Sequence, residues 1–172
     1  MRSDLTIDDL IEQYYDAMLR LAVSYLDTRA DAEDAVQEIF IIVDKNLNRF
    51  RGESSVKTWL YTIATNHCRK KLRQRKRREA FFGRFEREEP VEPPLEVQAI
   101  RNESNQQLWE AVDSLKSRHR EPIILRYVHD LTAREIGEVL GISEGTVYSR
   151  IHYAHKQLRG VLSHAEWLSK RT

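Results

Sequence analysis

The reading of the fold turns on one stretch, Thr132-Ala133-Arg134-Glu135-Ile136-Gly137-Glu138-Val139-Leu140-Gly141-Ile142-Ser143-Glu144-Gly145-Thr146-Val147-Tyr148-Ser149-Arg150. Thr132 and Glu135 have the spacing of a capping box, in which a hydroxyl and a carboxylate satisfy the orphan amides at a helix start. Ile136, Val139 and Leu140 give that short helix an apolar inner face. Gly141 supplies a left-handed residue that ends it, and Ser143 can cap the next helix. In that next helix Val147, Ile151, Ala154 and Leu158 fall within about 40° of one line at 100° per residue. Ser149, His152, Tyr153 and Lys156 then point outward, with Tyr148 and Arg150 on the flanks. A short helix, a three-residue turn containing glycine and a second helix with a polar outer face form a helix-turn-helix, the arrangement that reads duplex DNA. Leu108, Val112, Leu115, Ile123, Ile124, Tyr127 and Val128, upstream, are expected to line the supporting helices. Pro122 is expected near a helix start after Arg118-His119-Arg120-Glu121, where the first turn tolerates it.

Further upstream the composition changes. Pro90, Pro93 and Pro94 fall within five residues of a glutamate-rich stretch, and proline removes donors and forces its predecessor into extended geometry. Residues 86–103 therefore read as an extended acidic linker between a domain at 1–85 and one at 104–172. Before the linker, three segments have helical period. In the first, Thr6 can cap, and Ile7, Leu10, Ile11, Tyr14, Met18, Leu21, Ala22 and Tyr25 recur at three and four. The second starts near Asp31, with Val36, Phe40, Val43 and Leu47 inward. Asp34, Glu38, Ile41 and Lys45 lie opposite, and Gln37 sits at the flank. From spacing alone a stray surface isoleucine accounts for Ile41. The third runs from Val56 beyond Arg73, after the turn Arg51-Gly52-Glu53-Ser54-Ser55. Val56, Leu60, Ile63, Ala64 and His67 are expected inside, and Thr58, Thr62, Thr65, Asn66, Arg69 and Arg73 outside. Trp59 and Tyr61 flank them. With few Gly and Pro and much Leu, Ala, Glu, Arg and Gln, the whole predicts an all-α chain of two small helical domains.

The net charge of +1 conceals a segregation: residues 1–65 carry −5, 66–87 carry +8, 88–113 carry −6 and 114–172 carry +4. Within 69–78, eight residues of ten are basic. Such density repels itself unless a polyanion neutralises it, which points to nucleic acid. Hydroxyls, an amide and aromatics on the same helix suit unstacked bases better than a groove.

Three motifs, in order and spacing, resemble the bacterial extracytoplasmic-function sigma factors: Asp31-Ala32-Glu33-Asp34-Ala35-Val36-Gln37-Glu38-Ile39-Phe40, then Thr58-Trp59-Leu60-Tyr61-Thr62-Ile63-Ala64-Thr65-Asn66, then Glu135-Ile136-Gly137 to Gly145-Thr146-Val147-Tyr148-Ser149-Arg150. The resemblance covers about Ile7 to Leu162. It implies regions 2 and 4 of the sigma family, promoter-specific initiation with core RNA polymerase, and an anti-sigma factor as a further partner. It reassigns Asp34, Gln37, Glu38 and Ile41 to the surface that meets the clamp helices of the largest polymerase subunit. It implies that Arg51, Ser55, Val56, Trp59, Tyr61, Thr62, Asn66, Arg69, Lys70 and Arg73 open and hold the −10 element. There the family captures a flipped non-template base between the loop of about Arg51 to Val56 and residues near Asn66. It assigns −35 contacts to Ser143, Thr146, Tyr148, Ser149, Arg150, His152, Tyr153 and Lys156, and it threads the linker through the active-site and RNA-exit channels.

Two departures stand out. Val56 replaces an aromatic that many members carry in the flipping loop, and Tyr148 and Tyr153-Ala154-His155 stand where charges are common. Fewer phosphate contacts imply weaker −35 binding, so residues 101–172 alone are expected to bind DNA poorly. Other chemistries find little support. No cofactor is expected. The carboxylates Asp31, Glu33, Asp34 and Glu38 lack a partnering Glu-x-x-His. His152 and His155 lack a third ligand, and Cys68 beside His67 is expected to be a small buried hydrophobe. A lone cysteine suggests a reducing compartment. The N-terminal residues predict neither a signal peptide nor a membrane span, which together place the chain in the cytoplasm. A self-sufficient, dimerising helix-turn-helix regulator is the competing reading, but no heptad seam is visible.

Overall fold

The computed structural model describes the backbone of residues 5–26, 28–82 and 106–169, and their side chains up to 161. The expected linker at 86–103 lies outside the described residues. All regular structure among them is helical: α1 (Ile7–Tyr25), α2 (Arg29–Leu47), α3 (Val56–Phe82), α4 (Gln106–Ser114), α5 (Ser117–Tyr127), α6 (Ala133–Leu140) and α7 (Glu144–Ser169). These fall into two compact units, α1–α3 and α4–α7.

In the first unit α1, α2 and α3 all pack on one another. Thr6 caps α1 through a reciprocal capping box with Asp9. Thr28 caps α2 by accepting from the Asp31 amide at 3.0 Å, so this helix starts two residues before the expected Asp31. Leu10, Met18, Leu21 and Ala22 from α1, Val36, Ile39 and Val43 from α2, and Leu60, Ala64 and Cys68 from α3 are wholly buried. A large aliphatic chain fully removed from water contributes about 1.5–3 kcal/mol.

The inner face of α3 is rotated from the expected one. Thr58, Tyr61 and Thr65 are buried, whereas Val56, Ile63 and His67 are only partly covered. Thr58 tolerates burial because Ser55, at the cap, satisfies it. The Ser55 hydroxyl lies 2.8 Å from the Thr58 hydroxyl and accepts from its amide at 3.0 Å.

In the second unit Ala111, Val112, Leu115, Ile123, Ile124, Ala154 and Leu158 form one cluster, with Trp109, Val128 and Ile151 packed against it. Tyr127, expected in this core, is 59% exposed, its hydroxyl 3.0 Å from His155 Nε2. Pro122 corrects a second expectation: α5 begins at Ser117, so the proline stands inside the helix, beyond its first turn. There it is buried and supplies no amide to the turn before it.

Candidate nucleic-acid interface

A cavity of about 310 Å³ opens at the start of α3, lined by Arg49, Phe50, Arg51, Glu53, Ser54 and Trp59. Gly52, at φ +74°, turns the loop that forms it. The Phe50 and Trp59 rings meet with centroids 4.8 Å apart and planes tilted by 35°. Its volume is at the small end for ligand sites. Two aromatic walls and two guanidinium groups match a flat, hydrogen-bonding, anionic ligand such as a nucleotide. Phe50 and Arg49 were not among the expected contacts. The signal available was an aromatic between two arginines, Arg49-Phe50-Arg51, just ahead of a capped helix.

From this cavity an exposed stripe runs along α3. Taking Trp59 as origin at 100° per residue, Thr62, Asn66, Lys70, Arg73 and Arg77 lie within about 60° of it, and Arg69 within about 80°. Asn66, Lys70, Arg73 and Arg77 are exposed, and Thr62 and Arg69 are partly so. Thr62 turns its hydroxyl back onto the Thr58 carbonyl at 2.8 Å. Tyr61 does not join the stripe; it is 2% exposed, on the core side of the helix. The residues Arg51, Ser55 and Val56 do sit at the mouth of the helix, Arg51 and Ser55 exposed and Val56 half-buried.

On α2, Asp34, Gln37, Glu38 and Ile41 share an exposed face, with Ile41 54% exposed. Glu38 is also engaged within the molecule: its carboxylate lies 2.9 Å from Lys71 Nζ and 2.8 Å from His67 Nε2, both on α3. The Lys71 hydrogen bond holds the Glu38 carboxyl below its usual range. Burial pushes the His67 pKa down despite the Glu38 charge, which opposes that shift.

In the second unit the helix-turn-helix forms as its residues dictate. Glu135 accepts from the Thr132 amide at 2.7 Å while Thr132 accepts from the Glu135 amide at 3.2 Å. Gly141 takes φ +67°, and the Ile142 amide closes the turn onto the Gly137 carbonyl at 2.9 Å. Ser143 caps α7 by accepting from the Thr146 amide at 3.2 Å. Ser143, Tyr148, Ser149, His152, Tyr153 and Lys156 are exposed, with Thr146 and Arg150 partly so. Local bonds occupy several of them: Ser149 donates to the Thr146 carbonyl at 3.0 Å and Tyr148 reaches Glu144 at 3.4 Å. Tyr153 lays its ring on buried His119, centroids 4.5 Å apart. Burial lowers the His119 pKa, with Arg118 acting in the same direction.

Among the described residues no group of three or more His, Cys, Asp or Glu is placed to hold a metal ion. Cys68 is wholly buried, and burial pushes its thiol up to about 12. No described helix is long and apolar enough to cross a membrane.

The family model of sigma-70 region 2 matches residues 10–78, and that of sigma-70 region 4 matches residues 111–160. The chain is 35% identical over 159 residues to the ECF RNA polymerase sigma factor SigE of Mycolicibacterium smegmatis, covering 91% of this chain and 61% of that longer relative. It is 31% identical over 162 residues to the RNA polymerase sigma factor YlaC of Bacillus subtilis, covering 90% of each. It is 29% identical to the ECF RNA polymerase sigma factor SigW of the same organism, covering 88% of this chain and 86% of SigW. Among solved structures, the sigma factor RpoE of Bartonella quintana in complex with the anti-sigma factor NepR shares the fold. Its TM-score is 0.75 at 24% identity, over 91% of this chain and 96% of RpoE.

Proposed function

The chain belongs to the extracytoplasmic-function sigma factors of RNA polymerase, and from that membership we propose how its surfaces divide the work of promoter-directed transcription initiation. Residues 1–85 act as region 2, 104–172 as region 4, and 86–103 as the acidic linker whose carboxylates mimic the charge of nascent RNA. Asp34, Gln37, Glu38 and Ile41 dock on the polymerase clamp. The cavity and stripe of α3 take the non-template strand of the −10 element, with Arg51, Ser55, Val56, Trp59, Thr62, Asn66, Arg69, Lys70 and Arg73 around it. The exposed side of α7, with Ser143, Thr146, Tyr148, Ser149, Arg150, His152, Tyr153 and Lys156, meets the −35 duplex. The protein works in the cytoplasm and is itself no catalyst; the polymerase performs the chemistry. An anti-sigma factor, like the one bound to RpoE, holds it inactive.

The observation that carries this reading is the Phe50–Trp59 cavity at the head of a basic stripe. Capturing a base outside the duplex costs a few kcal/mol of unstacking. One base–aromatic stack returns about 1–3 kcal/mol, and basic side chains on phosphates add to it. The cavity holds the captured base and the stripe its backbone.

The test is promoter-specific initiation by core polymerase supplemented with the purified chain. Permanganate reactivity of unpaired −10 thymines reports opening. Trp59→Ala is expected to abolish that reactivity while leaving polymerase binding intact, and Ile41→Glu to weaken polymerase binding while leaving the fold intact. If the chain bound no polymerase and footprinted a symmetric site unaided, the regulator reading would replace this one.

A further inference from the structure

Phe81 is 87% exposed, the most exposed large hydrophobic side chain among the described residues, and Phe82 beside it is 71% exposed. Neither has a role so far. Their positions on α3 differ sharply. Phe81 is 22 residues beyond Trp59, which at 100° per residue brings it back to within about 40° of Trp59, on the stripe of Asn66, Lys70, Arg73 and Arg77. Phe82 falls roughly 140° away, on another side of the helix, with Arg75 and Arg78. The stripe therefore begins at one aromatic ring and ends at another, with an amide and cations between them. At 1.5 Å per residue the two rings are about 33 Å apart along the axis, so several nucleotides of an opened strand would separate them.

Exposing a phenylalanine to water forgoes the 1.5–3 kcal/mol that covering it contributes. The last turns of the helix carry Arg73, Arg77 and Arg78, and Glu79 is paired with Arg75 at 2.9 Å, so an anionic surface suits this end of α3. Unpaired bases offer both properties, an apolar face for the ring and phosphates for Arg73 and Arg77.

We propose that Phe81 is a second stacking contact for single-stranded promoter DNA, taking an unpaired base at the far end of the track that starts at the Phe50–Trp59 cavity. The proposal rests on the reading of α3 as the element that holds the opened strand. Sequence preference at this contact is weak, because every base has a π-face, and its effect is to lengthen the stretch of open strand that region 2 retains.

The test uses the full chain assembled with core polymerase and measures affinity for a promoter fragment with an unpaired non-template tail against the fully duplex fragment. Phe81→Ala is expected to weaken binding of the tailed fragment 5- to 150-fold, the range that one stack supplies, and to leave the duplex fragment unchanged. Phe81→Trp retains the affinity, Phe81→Leu does not, and Phe82→Ala leaves both fragments unaffected. Both phenylalanines are exposed, so these variants keep the fold. Equal losses on tailed and duplex DNA, equal effects at Phe81 and Phe82, or a loss of polymerase binding would each overturn the proposal. Trp59→Ala separates the two levels. If it weakens tailed binding and Phe81→Ala does not, only the second contact fails; if neither has an effect, the reading of α3 fails with it.

Discussion

Gly137 offers a prediction in which helix propensity and packing have opposite signs. It stands in the middle of α6, where replacing glycine by alanine ordinarily stabilises by up to about 1 kcal/mol. A Cβ built there would stand 2.7 Å from the Ile142 carbonyl oxygen, 3.6 Å from the Glu144 nitrogen and 3.7 Å from the Ser143 carbonyl carbon. These atoms are backbone, and they cannot swing aside as a side chain would. Residue 142 is moreover fastened to Gly137 by the 2.9 Å bond from its amide to the Gly137 carbonyl, so relieving the clash stretches the bond that closes the turn. Overpacking costs about 1–3 kcal/mol, and a weakened hydrogen bond about 0.5–1.5 kcal/mol more. After subtracting the propensity gain, Gly137→Ala is expected to destabilise the α4–α7 unit by about 1–3 kcal/mol. Gly145 and Gly160, both in α7, have open space where a Cβ would go. Their alanine variants are expected to be neutral or up to about 1 kcal/mol more stable. Because the chain has two compact units, the measurement is amide hydrogen exchange within α6 and α7 under mild denaturant, which reports that unit alone. A Gly137→Ala protein as stable as the parent would refute the close approach of α6 to the turn.

Further expectations concern titration and reactivity. Cys68 should resist a charged thiol reagent at neutral pH while the protein is folded and react once it unfolds, since its thiol is buried and raised to about 12; stoichiometric labelling without unfolding would contradict its burial. His119 has a folded pKa below its ordinary value, so the unfolded chain binds the proton more readily, and the α4–α7 unit should lose stability as pH falls through about 6.5. His119→Asn should flatten that pH dependence in exchange-detected stability, and an unchanged slope would show that the burial has no energetic consequence. Glu38→Gln should cost the first unit less than about 1 kcal/mol in chemical denaturation, because its carboxylate is about half exposed and exposed pairs contribute little.

How much of this was legible in the sequence differs from element to element. The helix-turn-helix could be read residue by residue because its determinants are local: Thr132 and Glu135 cap each other, Gly141 adopts the conformation only glycine takes without strain, and Ser143 caps its successor. The acidic face of α2 was equally plain. The inner face of α3 was not, since Thr58, Tyr61 and Thr65 are less apolar than Val56 or Ile63 and only the packing of α1 and α2 decides which set is covered. Tyr127 misled for a related reason: an aromatic at helical spacing counts as core in a pattern, yet its hydroxyl finds His155 at the surface. The Phe50–Trp59 pair lay beyond a wheel altogether. Its first member is in a loop, whose course is set by the positive φ at Gly52 rather than by any period.

The ion contacts of Glu38 make two surfaces share one carboxylate. A partner that takes Glu38 for itself withdraws it from Lys71 and His67, leaving a cation on α3 without its counter-charge. A phosphate that takes Lys71 in turn hands Glu38 back to whatever lies against α2. Exchange of this kind is reciprocal by thermodynamic necessity, so a partner at Glu38 and an anion at Lys71 would help each other to the same extent. An exposed pair is worth about 0.2–1 kcal/mol, which caps that mutual help at roughly fivefold. If α2 docks on polymerase as proposed, the two faces of the first unit would be coupled through a single side chain, faintly, and without any helix having to move.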